Sequence, residues 1–241
     1  MPSQTMITPE LLLTRIGTPD APVLIDVCID EDFALDPRLI PGAFRYPFSK
    51  IENLATELNG CEVVVICQKG LKLSQGAAAV LRAHGVNALA LSGGMAHWVE
   101  AGLPAIPAAA LPNPRIVAEV RPKPDTLATL WLIKRFVNRN AHFLFVSPDA
   151  VSAVTDRFDA TAAPSFAEAL ADYDLCAPAL SRLQRALSGD GPLAPGIATV
   201  LSGLRALHSD DLTCVEVALP LFDALHRAFA DASADAEGAA A

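Results

Sequence analysis

The chain has 241 residues, 52% hydrophobic and 19% charged, a balance that describes a folded globular protein and excludes a disordered one. A formal net charge of −9 argues against general nucleic-acid binding, which needs a basic face. No run of apolar residues approaches the roughly 20 that span a bilayer, so no membrane association is expected. The length predicts two compact units. The opening Met1–Met6 has neither a basic region nor an apolar core, so the expected address is cytoplasmic.

In chain order, Thr8 to Arg15 predicts a short helix, with Thr8 as its cap and Pro9 in its first turn. Val23 to Cys28 reads as an apolar strand and Ile51 to Leu58 as a helix. Glu62 to Cys67 is a buried strand by its β-branched run. Leu73 to His84 follows as a helix ended by Gly85, then Ala88 to Leu91 as a strand and Met95 to Ala101 as a helix. This alternation predicts an α/β fold, a parallel sheet flanked by helices, over residues 1–108. Six prolines between Pro104 and Pro124 predict a Pro-rich linker over 109–124, with room for one short strand at Ile116 to Val120. Asp125 is then expected to cap a helix to about Asn138. Phe143 to Val146 reads as a lone strand, and helices follow near 149–158, 165–172, 178–187, 195–207 and 212–230. Residues 125–232 are therefore a mainly α-helical second domain, and the alanine-rich stretch 233–241 a disordered tail.

The five cysteines (28, 61, 67, 176 and 214) form no CxxC pair and stand beside no histidines at zinc-ligand spacing, so neither a metal nor a cofactor is expected. Cys67 differs from the others by its setting. It ends a buried strand, a loop with Gly70 follows, and a helix begins near Leu73. Ligands gather at the carboxyl ends of parallel strands, glycine lets successive N–H groups turn toward one point, and the helix start adds partial positive charge. Lys69 and Lys72 add two cations. The pattern suits a nucleophilic thiolate meeting a small anion. The plainer reading of a strand-end cysteine, a small core hydrophobe, lacks these neighbours. Cys28 ends a parallel strand and reads first as a packed strand-end cysteine, with a resolving thiol for Cys67 as the alternative.

Residues 8 to 104 resemble a single rhodanese domain. The resemblance rests on Leu24-Ile25-Asp26-Val27, on Ile40-Pro41-Gly42-Ala43, on the loop Cys67-Gln-Lys-Gly-Leu-Lys72, and on Leu91-Ser-Gly-Gly94-Met-Ala-His-Trp98 running on to Pro104. It implies a sulfurtransferase. Cys67 would take sulfane sulfur from a small anionic donor such as thiosulfate, hold it as a persulfide, and pass it to a thiol or cyanide acceptor. Gln68, Lys69, Gly70, Leu71, Lys72 and Leu73 would bind the substrate. The chain departs from the family pattern at Cys28 and Lys72, which replace arginines, at Leu39, which replaces a histidine, and at Leu73, which replaces a serine.

Residues 121–139 and 141–149, and the helices to about residue 230, resemble the carboxyl-terminal domain of the chromate-resistance regulator family. Thr129 stands where that family would place a cysteine before Trp131-Leu-Ile133. This second resemblance carries the alternative function, a redox or chromate-stress sensor in which Cys67 is a thiol switch. Lys134, Arg135 and Arg139 read as cations favouring a helix carboxyl terminus, or as an oxyanion patch.

Overall fold

The computed structural model describes residues 5–190 and 193–238. The chain divides into two compact units, Met1–Ala109 and Ala110–Ala241.

The first unit runs β1 (Met6–Ile7), α1 (Pro9–Leu13), β2 (Val23–Asp26), α2 (Asp30–Leu35), β3 (Arg38–Leu39), β4 (Ala43–Arg45), a 3-10 helix (Phe48–Leu54), β5 (Glu62–Ile66), α3 (Lys72–Ala83), β6 (Asn87–Leu91), α4 (Gly94–Glu100) and β7 (Ile106–Pro107). Five strands form one parallel sheet in the order β1-β6-β5-β2-β4, and β3 pairs antiparallel with β7 apart from it. β5 is central because Val63 to Ile66 offer β-branched side chains to both faces, and all four are fully buried. Val63, Val65 and Cys67 pack with Ile25 and Val27 of the neighbouring strand, with Ala77, Ala78 and Leu81 of α3, and with Ile51. Leu24, Val64 and Ile66 on the opposite face are buried too, so both faces are covered.

Local signals work as the residue chemistry requires. The Thr8 hydroxyl accepts the Leu11 N–H with Pro9 at the first helical position, and Gly85 follows α3 at φ +84°. The expected helix at Ile51–Leu58 is instead the 3-10 helix Phe48–Leu54. Ile51 is its one buried residue, too narrow an apolar stripe to propagate an α-helix.

The second unit runs β8 (Arg115–Glu119), α5 (Pro124–Leu132), one π-helical turn (Ile133–Val137), β9 (His142–Val146), α6 (Val151–Phe158), β10 (Thr161–Ala162), α7 (Phe166–Asp172), α8 (Pro178–Leu187), α9 (Ala194–Leu207) and α10 (Asp211–Gly238). It is largely helical around a parallel three-stranded sheet, β10-β8-β9.

Four expectations change here. The linker 109–124 contains β8, the middle strand of this sheet, with Ile116, Val117 and Ala118 buried. The prolines at 114 and 122 bracket that strand and do not extend a spacer, because proline is tolerated outside a central strand and not within it. The strand at 143 is not alone, since β9 pairs with β8 from Arg115↔His142 to Glu119↔Val146. Asp125 does not cap α5, which starts at Pro124. Its carboxylate accepts the N–H of Phe166 at 3.1 Å and ties α5 to α7. α10 continues through the expected tail 233–241 as far as Gly238, as alanine's helix preference allows, and residues 239–241 lie outside the described ones.

Among the described residues no helix is long and apolar enough to cross a membrane.

Candidate functional site

Cys67 follows the last residue of β5, at the carboxyl end of the central strand, and is buried at 5% exposure. Its thiol donates to the Ser74 hydroxyl oxygen at 3.1 Å, and that hydroxyl donates to the Leu71 carbonyl at 3.4 Å. Ser74 is fully buried in the first turn of α3. The Ser74 hydroxyl can also turn and donate to the sulfur, as a hydroxyl rotor allows.

The loop between Cys67 and α3 is fixed from behind by the start of α4. The N–H groups of Met95 and Ala96 donate to the carbonyls of Cys67 and Gln68 at 3.0 and 2.9 Å, and Gln75 Nε2 donates to the Gly70 carbonyl at 3.0 Å. The N–H groups of Gln68, Lys69, Gly70 and Leu71 meet no protein acceptor among the described residues. With its carbonyls held and these donors unused, the loop has the makings of an anion cradle.

Two glycines make the packing possible. Gly70 has φ +65°, and a Cβ there would lie 2.5 to 2.7 Å from Leu91 O, Gly94 N and Gly93 N. Gly94 has φ +61°, and a Cβ there would collide with Cys67 O and Gly70 N. No other residue fits either position.

Gln68 is half-buried, and Lys69, Leu71 and Lys72 are exposed around the loop. Neither lysine joins a salt bridge among the described residues. Leu73, grouped with the substrate-binding residues from the sequence, packs against the apolar cluster beneath the loop, and Ser74 stands beside the sulfur in its place. Ser74, Gly94 and Asp26 are the residues that the sequence reading missed. A hydroxyl seven positions after the nucleophile, in the first turn of the following helix, was the available signal for Ser74.

Cys28 lies at the same sheet edge, 8% exposed, in the same buried cluster as Cys67. Burial and the adjacent Asp26 carboxylate push its thiol far up and keep it protonated. Asp26 is itself 2% exposed, its Oδ1 accepts the Cys28 N–H at 2.8 Å, and burial raises it above the ordinary carboxylate range. A cavity of about 330 Å³ opens beside this pair, lined by Cys28, Asp30, Arg45, Tyr46 and Phe48 among others. Arg45 Nη2 donates to the Cys28 carbonyl at 2.9 Å and to Asp30 at 2.8 Å, and the guanidinium lies 4.0 Å over the Phe33 ring.

In the second unit two of the three expected cations, Lys134 and Arg135, have structural partners. Arg135 makes a two-pronged pair with Asp223, both bonds at 2.8 Å, and Asp223 also accepts the Trp131 indole N–H at 2.8 Å. Lys134 donates to the Ala141 carbonyl at 3.0 Å. Among the described residues no group of three or more His, Cys, Asp or Glu side chains is placed to hold a metal ion.

No curated protein matches the chain. Among solved structures, a rhodanese homolog from Thermus thermophilus is 30% identical, covering 37% of this chain and 95% of its own, with a TM-score of 0.31. A thiosulfate sulfurtransferase from Pseudomonas aeruginosa is 31% identical over 43% of this chain and 19% of its own, with a TM-score of 0.35. A rhodanese-like domain protein from Staphylococcus aureus is 26% identical over 39% of this chain and 90% of its own, also with a TM-score of 0.35. The family model described as Rhodanese-like domain matches residues 8–101, and that described as ChrB, C-terminal domain, matches residues 117–229. The chain thus joins a rhodanese-like domain to a ChrB C-terminal domain.

Proposed function

We propose that the first unit is a sulfurtransferase in which Cys67 carries the transferred sulfur. The Cys67 thiolate attacks the outer sulfur of a dianionic donor of the thiosulfate class, sulfite leaves, and a persulfide remains on Cys67. A thiol or cyanide acceptor then attacks the outer persulfide sulfur and restores the thiolate. The observation that carries this reading is the loop itself, with four N–H groups free of protein acceptors beside a thiol that already has a hydroxyl partner. Ser74 serves the thiolate as a donor, and Lys69 and Lys72 draw the dianion. Five free cysteines suit a reducing compartment, the cytoplasm being the natural one.

A steady-state assay with thiosulfate and cyanide tests the reading. The full chain should turn over, and Cys67→Ser should abolish turnover. A second reading draws on the ChrB C-terminal domain match, which fits a redox or chromate-stress sensor using Cys67 as a switch. Stoichiometric oxidation of Cys67 with no turnover on any sulfane donor would favour it over the enzyme.

A further inference from the structure

Asp26 and Cys28 form a buried pair beside the Cys67 loop that the transfer step leaves unused. β2 and β5 are in register with Asp26 opposite Ile66, and the Val27 N–H extends the ladder by donating to Ile66 O at 2.8 Å. A ladder spacing of about 4.8 Å, continued one residue past the last pair, would put the Cα atoms of Cys28 and Cys67 roughly 6 Å apart. That is within the span a disulfide bridges. Strict alternation would turn Cys28 to the opposite face. The chain leaves β2 at Asp26, however, and Cys28 packs in the same cluster as Val27 and Cys67.

The surroundings of Cys28 supply the other requirements. A thiol that attacks needs a base, and the Asp26 carboxylate stands beside it, accepting the Cys28 N–H at 2.8 Å. Cys28 also lines the cavity beside Arg45 and Tyr46.

We infer that Cys28 resolves a Cys67 persulfide, with Asp26 as the base that takes its proton. The inference rests on the sulfurtransferase reading and adds a second half-reaction to it. As Asp26 accepts the Cys28 proton, the Cys28 sulfur attacks the inner sulfur of the Cys67 persulfide. The new S–S bond joins Cys28 to Cys67, and the persulfide bond breaks. Its electron pair leaves with the outer sulfur as hydrosulfide. The two thiols are oxidised and the sulfane sulfur is reduced, so the donor supplies the only oxidising equivalent. An external dithiol reopens the disulfide. In the absence of an acceptor the domain becomes a hydrosulfide-releasing dithiol that stops after one turnover. The charged and titratable groups facing this pair are Arg45 from β4, which favours ionised Asp26, and Asp32 from α2 and Cys67, which both oppose a Cys28 thiolate.

The test adds thiosulfate alone to the reduced full chain and follows sulfite, hydrosulfide and the non-reducing peptide map. Sulfite should appear first, followed by an equivalent of hydrosulfide and a peptide crosslinked through Cys28 and Cys67. Cys28→Ser should stop at a Cys67 persulfide, with no crosslink. Asp26→Asn keeps an acceptor for the Cys28 N–H. It should slow hydrosulfide release at least tenfold at neutral pH and move its rise to higher pH. An Asp26→Asn variant with the parent's rate and pH profile would remove Asp26 from the step. Sulfite release with a lasting Cys67 persulfide and no crosslink in the full chain would overturn the resolving role and leave the transfer reading intact. Neither sulfite nor adduct would overturn both.

Discussion

Lys69 and Lys72 are exposed and carry no carboxylate partner among the described residues, so their charge is available to an incoming anion. An exposed charge contact contributes about 1 kcal/mol or less, so Lys72→Ala should raise the KM for thiosulfate about fivefold and leave kcat nearly unchanged. Screening should narrow the gap between variant and parent as salt rises. A change confined to kcat would place Lys72 in the chemical step instead. Gly94 offers a sharper case. Its Cβ would enter the space of Cys67 O and Gly70 N, and its φ of +61° disfavours any side chain. Gly94→Ala should displace the loop, and a displacement of about 1 Å at the reacting centre costs about 100-fold in turnover. Parental turnover in that variant would show that the loop does not need its brace.

At the scale of elements, the Asp223 carboxylate joins α10 to the α5 end through Trp131 and Arg135, with side chains only 11% and 20% exposed in the ion pair. Asp223→Ala leaves a half-buried guanidinium and an indole N–H without partners, and should destabilise the second unit by about 3 kcal/mol or more in denaturant unfolding. Asp223→Asn keeps one acceptor and should cost less. These contacts also explain which elements the sequence disclosed. β5, α3 and the Cys67 loop were legible because a β-branched run, a glycine stop and the change of period between them are local signals. β8 was legible as a short strand at Ile116 to Val120, but its place in the middle of a sheet was not, because its flanks are prolines and its partner β9 lies across a helix. The 3-10 helix at Phe48–Leu54 depends on how little apolar surface its packing offers. Ser74 was obscured by Leu73, the residue grouped with the substrate-binding loop, which packs half-buried against the core cluster. The cavity beside Cys28 takes Arg45 from the end of β4, Tyr46 after it and Phe48 from the start of the 3-10 helix, and no short-range spacing joins these to Cys28.

For the whole molecule, the chemistry argued for Cys67 and Cys28 uses only residues of the first unit, whereas the aromatic and ionic contacts of Trp131 belong to the second. Asp223→Ala should therefore lower the melting of the second unit and leave sulfite release from thiosulfate at its parental rate below that transition. A matching loss of sulfite release at low temperature would mean that the second unit supports the site. The central claim is that Cys67 holds the transferred sulfur, and intact-peptide mass spectrometry of the thiosulfate-treated chain tests it most directly. In the Cys28→Ser chain, where nothing within the domain resolves the persulfide, the peptide containing Cys67 should gain about 32 Da, one sulfur atom, and lose it to a thiol acceptor. An unmodified Cys67 peptide after thiosulfate, with no sulfite in solution, would contradict the account.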